Sequence, residues 1–198
     1  MEKKTYTDNQ AKLIQVKEVA KRTMPNLPYH NFEHVMDVYS VAKKYGPLNN
    51  LNEEDQFLLE SAVLLHDIIY VPFAQDNEEK SMEFARTYLS GLDYSKEQIN
   101  KIKGMILATK LPQRPLNLLE KIICDADLDN FGREDFFEKG NNFRNELGLP
   151  DNASWYEKTF QFISNHKYYT EPAKRLREKK EKENIQKLIR KIEEVQRC

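Results

Sequence analysis

The sequence predicts an all-α bundle closed by a long charged C-terminal helix, and three observations carry that prediction. Apolar residues recur at helical spacing in one segment after another. No stretch keeps a period-two alternation flanked by turn signals, so no sheet is expected. Glycine and proline, apart from Gly104, fall between the periodic segments and read as breaks.

Each element follows from the residues in order. From Asp8 to Met24, Leu13, Val16, Ala20 and Met24 share one face, and Pro25 and Pro28 end the segment. Val35, Val38, Val41 and Ala42 form the next stripe, stopped by Gly46-Pro47. Asn52 is placed to cap a helix running to about Tyr70. The end of that helix, SAVLLHDIIY, is apolar nearly all round and belongs in the centre of the fold. Asp76 is placed to cap a helix through Met82, Phe84, Ala85 and Leu89. Ser95 with Gln98 three positions on has the form of a capping box. Helices are expected again at 116–129, 133–147 and 152–166. In the tail, Ile185, Leu188, Ile189, Ile192 and Val195 make one narrow stripe among many charges. A helix with a solvated first half and a packed second half is the expectation. The whole chain, 1–198, reads as one helical domain, with a core at about 25–130 and C-terminal helices at 133–198.

Composition removes several classes of function. With 31 Lys+Arg against 32 Asp+Glu the net charge is −1, so a general nucleic-acid binder is not expected. No run of 18 apolar residues is present, and MEKKTYTDNQ has no apolar core, so neither a membrane span nor a secretory signal is expected. The two cysteines, Cys124 and Cys198, are too few for a disulfide framework. A cytoplasmic protein is the expectation, with homo-oligomerisation left open.

Chemistry concentrates at the histidines. His66-Asp67 lies inside the most apolar segment, where an unpartnered carboxylate would cost several kcal/mol. In KIICDADLDNFG, Asp127 is four residues from both Ile123 and Phe131, so it shares their inward face. Neutral imidazole with carboxylate suits a divalent transition metal. A further ligand could come from His30 or His34. Pro28 and Asn31 place the helix start near Asn31, which favours His34 and leaves His30 as an outer or substrate-facing group. Cys124 reads as packing, Tyr168 and Tyr169 as core, and His166 as a surface or inter-helix residue.

The order His34, His66-Asp67, Asp127 resembles the four-ligand signature of the HD-domain superfamily of metal-dependent phosphohydrolases. The strings PYHNFEHVMDV, LLHDIIYVPFAQDNEEKS, ILATK and CDADLDNFG resemble a subgroup of small HD phosphohydrolases. The resemblance covers about residues 25–190. It implies an HD-like all-α fold with ligands from different helices meeting at a metal. It also implies hydrolysis of phosphomonoesters or phosphodiesters, commonly of nucleotides. Leu111-Pro112-Gln113-Arg114 stands where relatives often carry a further histidine. One divalent ion is therefore expected, with Mn, Co, Ni, Mg, Fe and Zn all admissible. The resemblance further suggests that an acid from QDNEEKS serves the attacking water, Glu79 first and Asp76 second. Lys110 of the ATK string, His30 and Asn31 are the candidates for touching substrate. Two other readings stand beside this one: a metal- and nucleotide-binding module with little turnover, and a two-iron oxygenase on a related fold, which the shortage of histidines disfavours.

Overall fold

The computed structural model describes residues 2–197, and among them there are helices and connecting turns but no strand. The helices are α1 (Glu2–Thr23), α2 (Phe32–Leu48), α3 (Glu53–Leu65), α4 (Asn77–Ser90), α5 (Lys96–Ala108), α6 (Leu118–Asp127), α7 (Phe136–Glu146), α8 (Ala153–Asn165) and α9 (Glu171–Gln196). A short 3-10 turn, Asp129–Gly132, joins α6 to α7.

Helix α3 is the axis of the bundle. Every residue from Phe57 to Leu65 is buried, and α1, α2, α4, α5 and α6 pack around it. Such a helix has no polar face to give to water, as its composition requires. The apolar stripes of α1, α2, α5 and α6 close on it through Val16, Val38, Ile102 and Ile123. A second apolar cluster joins Phe131, Phe136, Tyr156, Ile163 and Leu188, so α7, α8 and the end of α9 share their own core beside the first.

Of the helix starts expected from the sequence, Asn31, Asn52 and Ser95 act as caps and Asp76 does not; Asn117, Asn152 and Thr170 are caps as well. Asn31, Asn52, Asn117, Asn152 and Thr170 each accept a backbone N–H in the first turn. The capping box at Ser95 and Gln98 is complete. Asp76 precedes α4 but makes no capping hydrogen bond; its carboxylate pairs with Lys80 at 2.9 Å on the surface.

Three expectations need correction. Helix α2 runs through Gly46-Pro47 to Leu48, because a proline in the last turn forfeits little of the ladder. A side chain on Gly46 would overlap Gln56 Oε1, so glycine there serves packing rather than termination. Helix α3 stops at Leu65 instead of Tyr70. The freed groups after it are met from α4: Ser81 Oγ accepts from Ile69 N–H at 3.1 Å, and Asn77 Oδ1 accepts from Val71 N–H at 3.0 Å. The first half of α9 is not a solvated strip. Arg177 grips buried Asp129 at 2.7 and 2.8 Å, Glu181 meets His166 Nδ1 at 2.5 Å, and Asn184 donates to the carbonyls of Phe131 and Arg133. Charged residues read as solvated from composition are here matched to partners far away in sequence. At Gly104, inside α5, a Cβ would stand 3.0 Å from Glu120 Oε1, so glycine there permits a close approach between α5 and α6.

Candidate metal centre

Three separate pieces of chain deliver the four side chains. His34 lies in the first turn of α2, its backbone N–H held by the Asn31 cap at 3.0 Å. His66 and Asp67 follow directly on the end of α3. Asp127 is the last residue of α6. The early end of α3 is what makes the pair usable. His66 Nδ1 lies 2.8 Å from the carbonyl oxygen of Val63. A carbonyl only accepts, so the ring proton sits on Nδ1 and the Nε2 lone pair faces the cluster.

His66 Nε2 is 3.1 Å from Asp67 Oδ2 and 3.4 Å from Asp127 Oδ1; His34 Nε2 is 3.6 and 3.5 Å from the same two oxygens. One ligand atom from each of the four lies within 4.8 Å of all the others. Ligands about 2.1 Å from a common ion stand about 3 to 3.4 Å apart in neighbouring positions, so the spacing fits a divalent cation. The donor chemistry fits as well. Both Nε2 atoms are buried and have no hydrogen-bond partner, which is costly unless something else takes the lone pairs. The residues present could therefore hold a metal ion.

The electrostatics point the same way. Burial by itself depresses an imidazole pKa, yet the carboxylates of Asp127 and Asp67 outweigh it and raise His34 above its usual value. His66 is raised further, with Asp67 as its main charged neighbour. Burial would likewise raise the two carboxyls, but the imidazoles hold Asp127 below and Asp67 well below the usual range. Two anionic carboxylates shielded from water draw positive charge to this point.

Through Asp67 and Asp127 the cluster borders a cavity of about 430 Å³. Asp67 and Asp127, with His30 beside Asp67, make its acidic end, and Glu78, Lys110, Lys139 and Lys158 also line it. Phe136, Phe143, Trp155 and Phe162 form an aromatic side contributed by α7 and α8. A cavity that is mostly apolar, with a few charged groups converging at one end, has the character of a small-molecule site.

The other sequence candidates divide. His30 and Lys110 line the cavity. Lys110 is shared with Glu79, to which it is paired, and with the carbonyl of Gln75 at 2.8 Å. Asn31 is occupied as the α2 cap and donates to the Leu27 carbonyl, and it does not reach the wall. Asp76 and Glu79 are also off the wall, whereas Glu78 is on it. Helical phase explains the difference. Glu78 shares the inward stripe of α4 with Ser81 and Ala85, while Glu79 lies one step round with exposed Glu83 and Arg86. That signal was present in the sequence once the apolar stripe of α4 was drawn. Glu146, Lys139 and Lys158 carried no such signal, because nothing local ties α7 and α8 to the cluster.

The remaining polar candidates are structural. Asp125 accepts the N–H groups of Tyr169 and Thr170 and the Thr170 hydroxyl, and Asp129 holds Arg177 and Tyr45. Alternation along the sequence thus sends Asp125, Asp127 and Asp129 to three different inward tasks, because the helix ends at Asp127 and a 3-10 turn follows. Cys124 is buried, and burial pushes its thiol pKa up, away from any nucleophilic role. His166 is packed between α8 and α9, and Tyr168 is core.

The profile of the HD domain matches residues 31–129. Among curated proteins no sequence matches. Among solved structures, Bacillus subtilis YpgQ in complex with ADP is similar over 94% of this chain and 96% of that one, with a TM-score of 0.71 and 21% identity. A predicted HD superfamily hydrolase from an uncultured Thermotogales bacterium is similar over 91% of both chains, with a TM-score of 0.59 and 17% identity. At these identities the likeness establishes the fold.

Proposed function

Since the chain belongs to the HD-domain family, we propose that it is a metal-dependent phosphohydrolase acting on a small phosphorylated molecule, a nucleotide in the first instance. The observation that carries this reading is the convergence of His34, His66, Asp67 and Asp127 on one point at the acidic end of a half-aromatic cavity. These four residues would hold a divalent ion, which would supply a Lewis acid for a phosphoryl oxygen and lower the pKa of water.

The chain's own groups supply the rest. Lys110, Lys139 and Lys158 offer positive charge to phosphate oxygens lying outside the cluster. Among the described residues Lys158 makes no ion pair, so it can meet substrate without first giving up a partner. The aromatic wall of Phe143, Trp155 and Phe162 suits a nucleobase face. That YpgQ was crystallised with ADP supports the choice of nucleotide. Glu78 is the carboxylate placed to orient or deprotonate water. Partial burial and the neighbouring Asp67 raise its pKa above the ordinary carboxylate value, the direction that makes a carboxylate a stronger base. This reading moves the acid–base role from Glu79, which Lys110 holds ionised at the surface, to its neighbour.

The test is a screen of nucleotides and simple phosphoesters, mono and di, across Mn²⁺, Co²⁺, Ni²⁺, Mg²⁺, Fe²⁺ and Zn²⁺. Metal-dependent release of phosphate, pyrophosphate or alcohol is expected. Tight nucleotide binding with no turnover under any metal would instead favour the binding module. With a substrate in hand, Glu78→Gln should lower kcat about 100-fold with metal content unchanged. Glu79→Gln should stay near wild type; the reverse ranking would return the role to Glu79.

A further inference from the structure

Glu146, the last residue of α7, reaches across to the segment before α2. Its side chain is fully shielded from solvent. Oε2 accepts the backbone N–H groups of Tyr29 at 2.9 Å and His30 at 2.7 Å. Oε1 lies 2.5 Å from His30 Nδ1. The His30 ring is stacked on Tyr70, with ring centres 3.5 Å apart and planes 15° from parallel. Its other nitrogen, Nε2, stands at the acidic end of the cavity, 3.9 Å from Asp67 Oδ2. Both His30 and Glu146 lie outside residues 31–129, the span of the HD match.

We propose that Glu146 is a positioning residue that sets the tautomer of His30, so that Nε2 offers a lone pair to a hydroxyl hydrogen at the reacting end of the cavity. With two backbone N–H groups donating to Oε2, Glu146 is held as a carboxylate and can only accept. The neutral His30 ring must then carry its proton on Nδ1. Stacking on Tyr70 fixes the plane of the ring and the contact of Nδ1 with Glu146 fixes its orientation in that plane, so the lone pair at Nε2 has a single direction. A gap of 3.9 Å is too long for direct hydrogen bonding to Asp67. It leaves Nε2 free to accept from an O–H entering the cavity; water and a substrate hydroxyl both supply one, and water alone has a second hydrogen for Asp67. The catalytic consequence rests on the phosphohydrolase reading above; the tautomer does not.

Glu146→Gln separates the two. The amide oxygen can keep both backbone N–H bonds, while its NH2 group faces Nδ1 and can only donate. The proton is then forced onto Nε2 and the lone pair is lost from the cavity. Nitrogen-15 spectra of metal-free protein, taken at alkaline pH so that the ring is neutral, read the tautomer directly. The expected result is an Nδ1–H ring for His30 in the wild type and an Nε2–H ring in Glu146→Gln. In the metal-loaded enzyme kcat should fall about tenfold or more, with KM and metal content unchanged. An Nε2–H ring in the wild type overturns the proposal without any variant, which guards against a Glu146→Gln chain that fails to fold. A variant that keeps Nδ1–H, a flipped ring with full kcat, or a loss of metal that makes Nε2 a ligand each overturns it too. A wild type without phosphohydrolase activity defeats the functional reading alone, since the spectra still decide the tautomer.

Discussion

Asp67→Ala should abolish divalent-metal uptake, with affinity falling at least about 100-fold and turnover falling with it. Loss of a group that merely supports a ligand already costs about 10- to 100-fold, and Asp67 is itself placed to be a ligand. Its Oδ2 is the carboxylate oxygen nearest His66 Nε2, at 3.1 Å, and stands 3.6 Å from His34 Nε2, and one carboxylate charge leaves with it. Asp127→Asn is the shape-conserving companion. An amide oxygen is a weaker donor and the cluster loses a charge, so affinity should fall while the helical circular dichroism stays the same. Calorimetric titration with Mn²⁺, and metal content after gel filtration, measure both. The wild type should melt at higher temperature with metal than with chelator, because an ion bound only by the folded state stabilises it in proportion to ln(1 + [M]/Kd). If either variant binds metal as the wild type does, that aspartate is not part of the site. If both do, the cluster is not a metal centre.

Gly132→Ala should destabilise the fold more than any other single methyl group added at a glycine outside the left-handed region. A Cβ at Gly132 would stand 2.5 Å from Arg177 Cβ and 2.6 Å from the Arg177 backbone oxygen. Neither is the tip of a flexible side chain, so the 3-10 turn and α9 must separate. That separation also loosens Arg177 from Asp129, where both ends of the bidentate pair are partly or fully withdrawn from water. Overpacking of this kind costs about 3 kcal/mol. For a chain of this size that is a fall in Tm of roughly 6–12 °C. Gly140→Ala is the matched control: a Cβ there meets nothing within 4 Å, and alanine in a helix is favoured over glycine by up to about 1 kcal/mol. Thermal melts should move in opposite directions for the two. Equal melts would mean that the contact between the 3-10 turn and α9 yields without cost.

The same contact shows why the tail was misjudged from composition. Arg177, Glu181 and Asn184 look like a solvated face because their partners, Asp129, His166 and the Phe131 carbonyl, lie 15 to 53 residues away. No local period records such pairs. Helix α4 is the opposite case. There the inward phase of Asn77, Ser81 and Ala85 is written locally and places Glu78, not Glu79, towards the cavity.

Helical periodicity, caps and the isolation of His34, His66-Asp67 and Asp127 among apolar neighbours were enough to predict the bundle and to single out the four side chains. These are local properties: each depends on a residue and those within one or two turns of it. Which further cations and which aromatic wall share the cavity with the cluster, Lys139, Lys158, Phe143 and Trp155 among them, was decided only by where α7 and α8 fold back. Contacts such as Glu146 with His30, 116 residues apart, depend on the direction of whole helices, and spacing along a chain does not encode direction in space.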